Sequence, residues 1–437
     1  MGDSFRGARV HGLIFSQSIF TVFIELPPSN SSDDDPPTVK SSAANQQSVL
    51  QGSIRALIAG AAGGALAAVV VWMVLTLQGW VWGSAVLEGL PSERSLRWCL
   101  LWSSGIGLAI SLLQRHRPAS ALPEMAETLT ELRRPDGLQT KAGARQLLGG
   151  GLALIGAGTL GPEALMTRLV AVASHRVWKG ADRDLVAAAM AGSLGLFHSP
   201  LVGGAVLAGR RWQLLWRWLP GTLGGVAGFV MFRGLSDLGG GLRGVPYVWP
   251  VDQEQWFGAL IAAVLAGLVG CGIGALLGRW RHWLRSLSLQ KRFWLTPVLT
   301  GLILGFSVWA LPLSVFSGEN QLKPLVLGAW SLSPGVLLLS ALAKLLLVGL
   351  CLETGWKGGQ FFPVILASSA LGMGLHECLP FLGGLQSWSS GVVGGSLSVL
   401  LNSPLLGLVL GLTLLQGHGA GALVIGLLVG QLLQRNR

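Results

Sequence analysis

The chain has 437 residues, 51% of them hydrophobic and only 12% charged, with a mean hydropathy of +0.58. Charged residues usually make up about 25% of a chain, so too little polar surface exists to cover a globule of this size in water, and an ordinary soluble enzyme is excluded. Thirty-one Lys and Arg against twenty Asp and Glu leave a net charge of +11, but the bases are dispersed between apolar spans, which suits positive-inside loops and not a nucleic-acid partner.

Residues 1 to 50 stand apart. The tract Pro27-Pro28-Ser29-Asn30-Ser31-Ser32-Asp33-Asp34-Asp35-Pro36-Pro37 cannot bury enough apolar area to offset its ordering entropy, and 1–50 is read as a disordered tail. Leu13 to Leu26, behind Arg6 and Arg9, imitates a signal peptide, but Glu25 interrupts it and no A-x-A site follows. From Ala56 apolar segments succeed one another near 56–80, 98–114, 146–176, 185–208, 213–235, 256–279, 294–314, 335–352, 360–380, 389–416 and 419–434. A span needs about 20 apolar residues, so residues 51–437 are expected to form an all-α, multi-pass integral membrane domain in a lipid bilayer. The 64 glycines, about twice the usual share, fall inside these segments and favour close helix packing. Most of the 18 Trp lie near segment ends as interfacial anchors. Arg279, Arg281, His282, Arg285, Lys291 and Arg292 form the densest basic loop, expected on the cytoplasmic side. Cys99, Cys271, Cys351 and Cys378 are widely spaced and read as small hydrophobes, not a disulfide or zinc framework.

Several segments are interrupted in mid-span, at Gly161-Pro162, Ser199-Pro200, Pro363 and Ser403-Pro404. Broken backbone is tolerated in hydrocarbon only where it is buried in protein or lines a polar cavity, so the breaks mark the expected site. They also repeat. His198-Ser199-Pro200-Leu201-Val202-Gly203 returns as Asn402-Ser403-Pro404-Leu405-Leu406-Gly407, offset by 204 residues, and Gly158 to Pro162 answers Gly359 to Pro363, the prolines offset by 201. Two concordant offsets indicate homologous halves, about 56–235 and 256–434, with a transport site between them near the bilayer midplane. Each helix start carries amide N–H groups without intrahelical partners and about half a positive charge; Pro starts a helix without losing a needed donor, and Gly lets the backbone come close to an ion. Such starts converging in the membrane stabilise an anion without a buried Lys or Arg. The only acid within the four breaks is Glu163, so the permeant ion is expected to be negative.

In these breaks the sequence resembles the CLC family of chloride channels and proton-coupled anion antiporters. Ala119-Ser120-Ala121-Leu122-Pro123-Glu124 is similar to the family's GSGIP-E, and Gly158-Thr159-Leu160-Gly161-Pro162 to G(K/R)EGP. Phe197-His198-Ser199-Pro200-Leu201 is similar to FNAPL, and Gly359-Gln360-Phe361-Phe362-Pro363 to GxFxP. Order and spacing match over roughly 55–434, while the letters are eroded. The resemblance implies two inverted-topology repeats of discontinuous, tilted helices and a homodimer with one pathway per subunit. It also implies a dehydrated monovalent anion held by the Ser120 hydroxyl and by the amides of Gln360 and Phe361, with Gly161, Pro162, Gly359 and Pro363 forming the helix starts.

The departures carry as much weight. The family's gating glutamate falls on Leu160, which cannot titrate. Glu163 follows three residues later, about 300° around a helix and almost a turn deeper; it is read as an acid at a helix start and as a candidate substitute. The internal proton acid of antiporters falls near Leu207-Ala208-Gly209-Arg210-Arg211, where no carboxylate occurs, and the terminal site tyrosine has no counterpart, Tyr247 being the only tyrosine. His198, ahead of Pro200, is a second candidate for titration near the path. The histidines show no ligand spacing, so no metal is expected, and no P-loop, G-x-S-x-G or H-E-x-x-H occurs, so neither an enzyme nor a cofactor is expected beyond the permeant anion. The absent acids favour passive conduction of chloride or a similar anion. A homologue that no longer transports, or an antiporter using Glu163 or His198, are the alternatives.

Overall fold

Helices make up most of the chain described by the computed structural model, which covers residues 42–114, 122–125, 127–128, 131, 143–177, 183–197, 215–238, 256–287, 289, 294–326, 332–401, 404–415 and 417–435. The first half contains α1 (Ser42–Trp82), α2 (Leu96–Gln114), α3 (Gly143–Ile155), α4 (Glu163–Val177), α5 (Arg183–Ser193) and α6 (Leu215–Leu238). The second contains α7 (Trp256–Ser286), α8 (Thr296–Ala310), α9 (Glu319–Val326), α10 (Pro334–Glu353), α11 (Phe361–Cys378), α12 (Leu385–Leu401), α13 (Pro404–Leu414) and α14 (Ala420–Arg435). The Leu50–Trp82 part of α1, together with α2, α7, α10 and α11, is long and apolar enough to cross a membrane.

Two boundaries differ from the sequence expectation. α1 begins at Ser42, inside the stretch read as tail, because Ser42-Ala43-Ala44-Asn45-Gln46-Gln47 follows the last proline of the tract and contains good helix formers. The apolar run 146–176 is interrupted at Gly161-Pro162 as expected, since α3 ends at Ile155 and α4 starts only after Pro162. α9 lies in Glu319–Val326, between two apolar segments where no helix was expected.

The packing scheme of the first half recurs in the second. α1, α5 and α6 pack on one another, as do α7, α12 and α14; α3 packs on α4 as α10 packs on α11, and α2 against α8 joins the halves. Glycine makes both trios possible. A Cβ added at Gly192 would fall on the Gly60 backbone, and one at Gly395 would fall on the Gly267 carbonyl. In lipid, dispersion at such close backbone contact replaces the hydrophobic effect as the force between helices. Gly395→Val is therefore expected to lower stability by about 1–3 kcal/mol through overpacking. Gly272→Val is expected to be tolerated, because a Cβ there meets nothing within 4 Å. Thermal unfolding in detergent, followed by tryptophan fluorescence, checks the difference.

Candidate functional site

Pro162 and Pro363 stand at helix beginnings, where the amide they lack has no intrahelical acceptor in any case. α4 starts at Glu163, and its first backbone bond runs from the Met166 amide to the Pro162 carbonyl at 2.9 Å. α11 starts at Phe361, and the Val364 amide donates to the Gln360 carbonyl at 3.2 Å. A one-residue antiparallel bridge holds the two starts face to face. The Gly161 amide donates to the Gly359 carbonyl and the Gly359 amide to the Gly161 carbonyl, each at 2.8 Å.

Glu163 folds back into the gap between them. Its side chain is fully buried, and its Oε1 accepts the Phe361 N–H at 3.0 Å. The amides of Phe362 and of Glu163 itself also bear on the carboxylate. Oε2 is buried without a partner. A Cβ on either Gly161 or Gly359 would overlap this carboxylate, which gives both glycines a steric reason. A carboxylate of the chain itself thus occupies amides that the sequence reading reserved for a permeant anion. The other expected residues fall into three groups. Gly161, Pro162, Gly359, Phe361 and Pro363 converge on the bridge. Leu160 is buried beside it, its side chain against Gly358 and its amide donating to the Gly158 carbonyl at 2.8 Å. Ser120 and His198 lie outside the described residues, as do 207–211 and Tyr247.

Gln360 is buried, and its side chain has a role that sequence reasoning had not assigned. Its Oε1 accepts from Arg281 Nη1 at 3.0 Å. Arg281 Nη2 donates to Glu124 Oε1 at 2.8 Å and Arg281 Nε to Glu353 Oε1 at 2.8 Å, while Arg285 Nε donates to Glu353 Oε2 at 2.8 Å. One guanidinium therefore joins the segment after Pro123, the end of α10 and the start of α11. Arg281 belonged to the basic loop by sequence; in the structure α7 continues to Ser286 and Arg281 is buried on the same face as Leu277 and Leu284. That 277/281/284 spacing is the signal that marks it as inward.

A buried lysine was likewise not anticipated. Lys344 of α10 is 1% exposed, and its Nζ donates to the carbonyls of Leu313 and Val315 at 3.1 and 2.7 Å and to Gln321 Oε1 at 3.2 Å. All three N–H bonds are directed at the segment around 311–321, so this charge does not face Glu163. In the loop before α11, Lys357 Nζ donates to the Leu352 carbonyl at 2.6 Å, and burial holds its pKa below the usual lysine value against the pull of Glu124 and Glu353. Among the described residues no group of three His, Cys, Asp or Glu is placed to hold a metal ion.

Paired, interrupted helices whose starts present backbone amides inside a bundle of apolar helices define an integral, multi-pass membrane protein for anion transport. A family model described as "Voltage gated chloride channel" matches residues 105–435, and the chain belongs to this family, the CLC proteins. It is 27% identical over 364 residues to the Shigella flexneri protein named "Putative ion-transport protein YfeO", covering 78% of this chain and 83% of that one. The protein of the same name from Escherichia coli strain K12 is 27% identical over 367 residues, with 78% and 83% covered. Its fold matches that of a slow cyanobacterial Cl-/H+ antiporter with a TM-score of 0.68 at 19% identity, over 88% of this chain and 94% of the other. A CLC-type fluoride/proton antiporter matches with a TM-score of 0.68 at 16% identity, over 91% and 98%.

Removing the Arg281 guanidinium leaves Glu124 without its ion pair and Glu353 with Arg285 alone. Arg281→Met is expected to cost about 3–5 kcal/mol, the usual penalty for stranding buried charge, and Arg281→Lys to recover only part, since one ammonium cannot span three acceptors on separate segments. Thermal unfolding of the purified variants in detergent measures both.

Proposed function

We propose that the protein exchanges a small monovalent anion, chloride or a close relative, for protons across the bilayer. In this reading Glu163 is the tethered carboxylate that alternately blocks the anion site and carries a proton. The observation that supports it is the Glu163 Oε1 on the Phe361 amide, between the starts of α4 and α11. A carboxylate and a free anion require the same donors, so they compete for one position. Protonation removes the charge that the helix starts attract, and the neutral side chain then yields the amides to the incoming ion. Return of the carboxylate releases the proton and expels the anion. The family membership and the proton-coupled transport named for the two structural neighbours support the same reading. As the family resemblance implies, each subunit of a homodimer carries its own pathway.

Passive conduction is the second reading, supported by the aliphatic Leu160 at the family's gate position. Proteoliposomes containing the full chain separate the two. A pH gradient is expected to drive chloride uphill in the wild type, and Glu163→Gln to lower proton movement per chloride at least tenfold. Downhill chloride flux with no accompanying protons would establish passive conduction instead, and absence of any flux from folded protein would identify a homologue that no longer transports.

A further inference from the structure

We infer that Arg281 is a positioning residue for the anion site, setting the affinity of the Phe361 amide by holding Gln360 against a fixed wall. The inference rests on the reading above, in which that amide is the anion position, and adds what aims it. The Phe361 N–H lies in the peptide plane that begins at Gln360, so its direction follows the Gln360 backbone. Gln360 stands at the N-cap of α11, with φ −111° and ψ −9°, and its side chain does not cap its own helix. N-cap residues ordinarily spend a side-chain acceptor on the first-turn amides. Here Gln360 Oε1 accepts from Arg281 Nη1 at 3.0 Å instead, which leaves those amides for Glu163 or an ion.

A guanidinium carries donors only, in a rigid planar fork, so groups bound to its separate nitrogens are held at a fixed spacing. Arg281 Nη2 binds Glu124 Oε1 and Nε binds Glu353 Oε1, each at 2.8 Å. Both acceptors are held in turn. Glu353 has its second oxygen on Arg285. The Glu124 amide donates to Glu127 Oε2 at 2.9 Å, and further along the same segment Glu131 Oε2 accepts from Nη1 of the buried Arg168 at 2.6 Å. Arg168 belongs to α4 and also donates from Nε to Gln146 Oε1 of α3 at 3.2 Å. The segment that follows Pro123 is thus tied at one end to Arg281 and at the other to the helix that bears Glu163.

Two neighbouring residues therefore fix the start of α11. Gly359 is bound to Gly161 by the bridge, and Gln360 to Arg281. The bridge by itself settles Gly359 and leaves the two backbone torsions of Gln360 to the helix and to this tether. Losing the tether widens the range of directions open to the Phe361 N–H, and a donor that is no longer aimed in advance binds its anion less tightly. Arg281 acts through Gln360 and not as a ligand, since all three of its nitrogens are already bonded within the protein.

Chloride binding to the purified full chain, measured by titration calorimetry in detergent, tests this. Glu163→Gln serves as the parent, because it removes the competing carboxylate. Adding Gln360→Met, which keeps the bulk and loses the acceptor, is expected to raise the chloride Kd by about threefold or more, the lower end of the net worth of one hydrogen bond. Adding Arg281→Lys is expected to do the same, and the two together to go no further than the larger single effect, since one tether is lost only once. Thermal unfolding of the same samples separates folding from affinity, because a merely structural role lowers the Tm and leaves the Kd of the folded protein unchanged. A smaller rise in Gln360→Met overturns the positioning role and leaves the Phe361 anion position standing. That variant keeps the Arg281 ion pairs with Glu124 and Glu353, so it decides the matter even where Arg281→Lys fails to fold. Multiplying effects in the combined variant overturn the action of Arg281 through Gln360. A parent that binds no chloride overturns the anion position itself, and with it the reading on which the inference rests.

Discussion

The reciprocal hydrogen bonds between Gly161 and Gly359 are the contact on which the site depends. They are two backbone bonds, yet they fix the relative position of two helices from different halves of the chain, and both helices begin within two residues of the bridge. Because each start directs backbone amides toward the gap, the bridge creates a compact region of positive potential. Every other requirement follows from that geometry. Glycine is needed on both sides because the Glu163 carboxylate fills the volume that a Cβ would take. Proline is acceptable beside both because the missing donor lies among those that a helix start leaves unused.

The charged groups buried in this fold divide into two kinds. Arg281 and Lys344 are saturated, the first by Glu124, Glu353 and Gln360 and the second by two carbonyls and Gln321. They join segments and leave little electrostatic freedom for anything mobile. Glu163 is only partly satisfied, with one oxygen on the Phe361 amide and the other without a partner. A group held this way gives up little when it is replaced by another anion of similar charge, which suits an ion that must enter and leave. The saturated charges and the partly satisfied one are thus kept on different residues.

Much of this was legible in the sequence because it is backbone chemistry. A Pro beside Gly in mid-span favours a helix start, and the structure begins α4 just after Gly161-Pro162. The motif positions Gly161, Pro162, Gly359, Phe361 and Pro363 lie at the starts of α4 and α11 and at the bridge between them. Side chains that reach the site from elsewhere were harder. Helical rotation from Leu160 does not reveal that the Glu163 side chain reaches back past Gly161, because that reach depends on where the bridge puts Gly359. Arg281 looked like a solvated base because six basic or histidine residues cluster there, and only the spacing to Leu277 and Leu284 signals its inward face. Gln321 is fully buried because Lys344, 23 residues on, binds its side chain and the Val315 carbonyl and draws that stretch inward.

The central claim is that the amide of Phe361 is an anion position which Glu163 occupies in the absence of a free ion. Anomalous scattering from bromide-soaked crystals of the Glu163→Gln protein tests it directly. The account predicts a bromide peak within hydrogen-bonding distance of the Phe361 amide, beside the Gly161–Gly359 bridge, and a much weaker one at that point in the wild type at high pH. Bromide bound only elsewhere, or equal occupancy there with the wild-type carboxylate still in place, would contradict it.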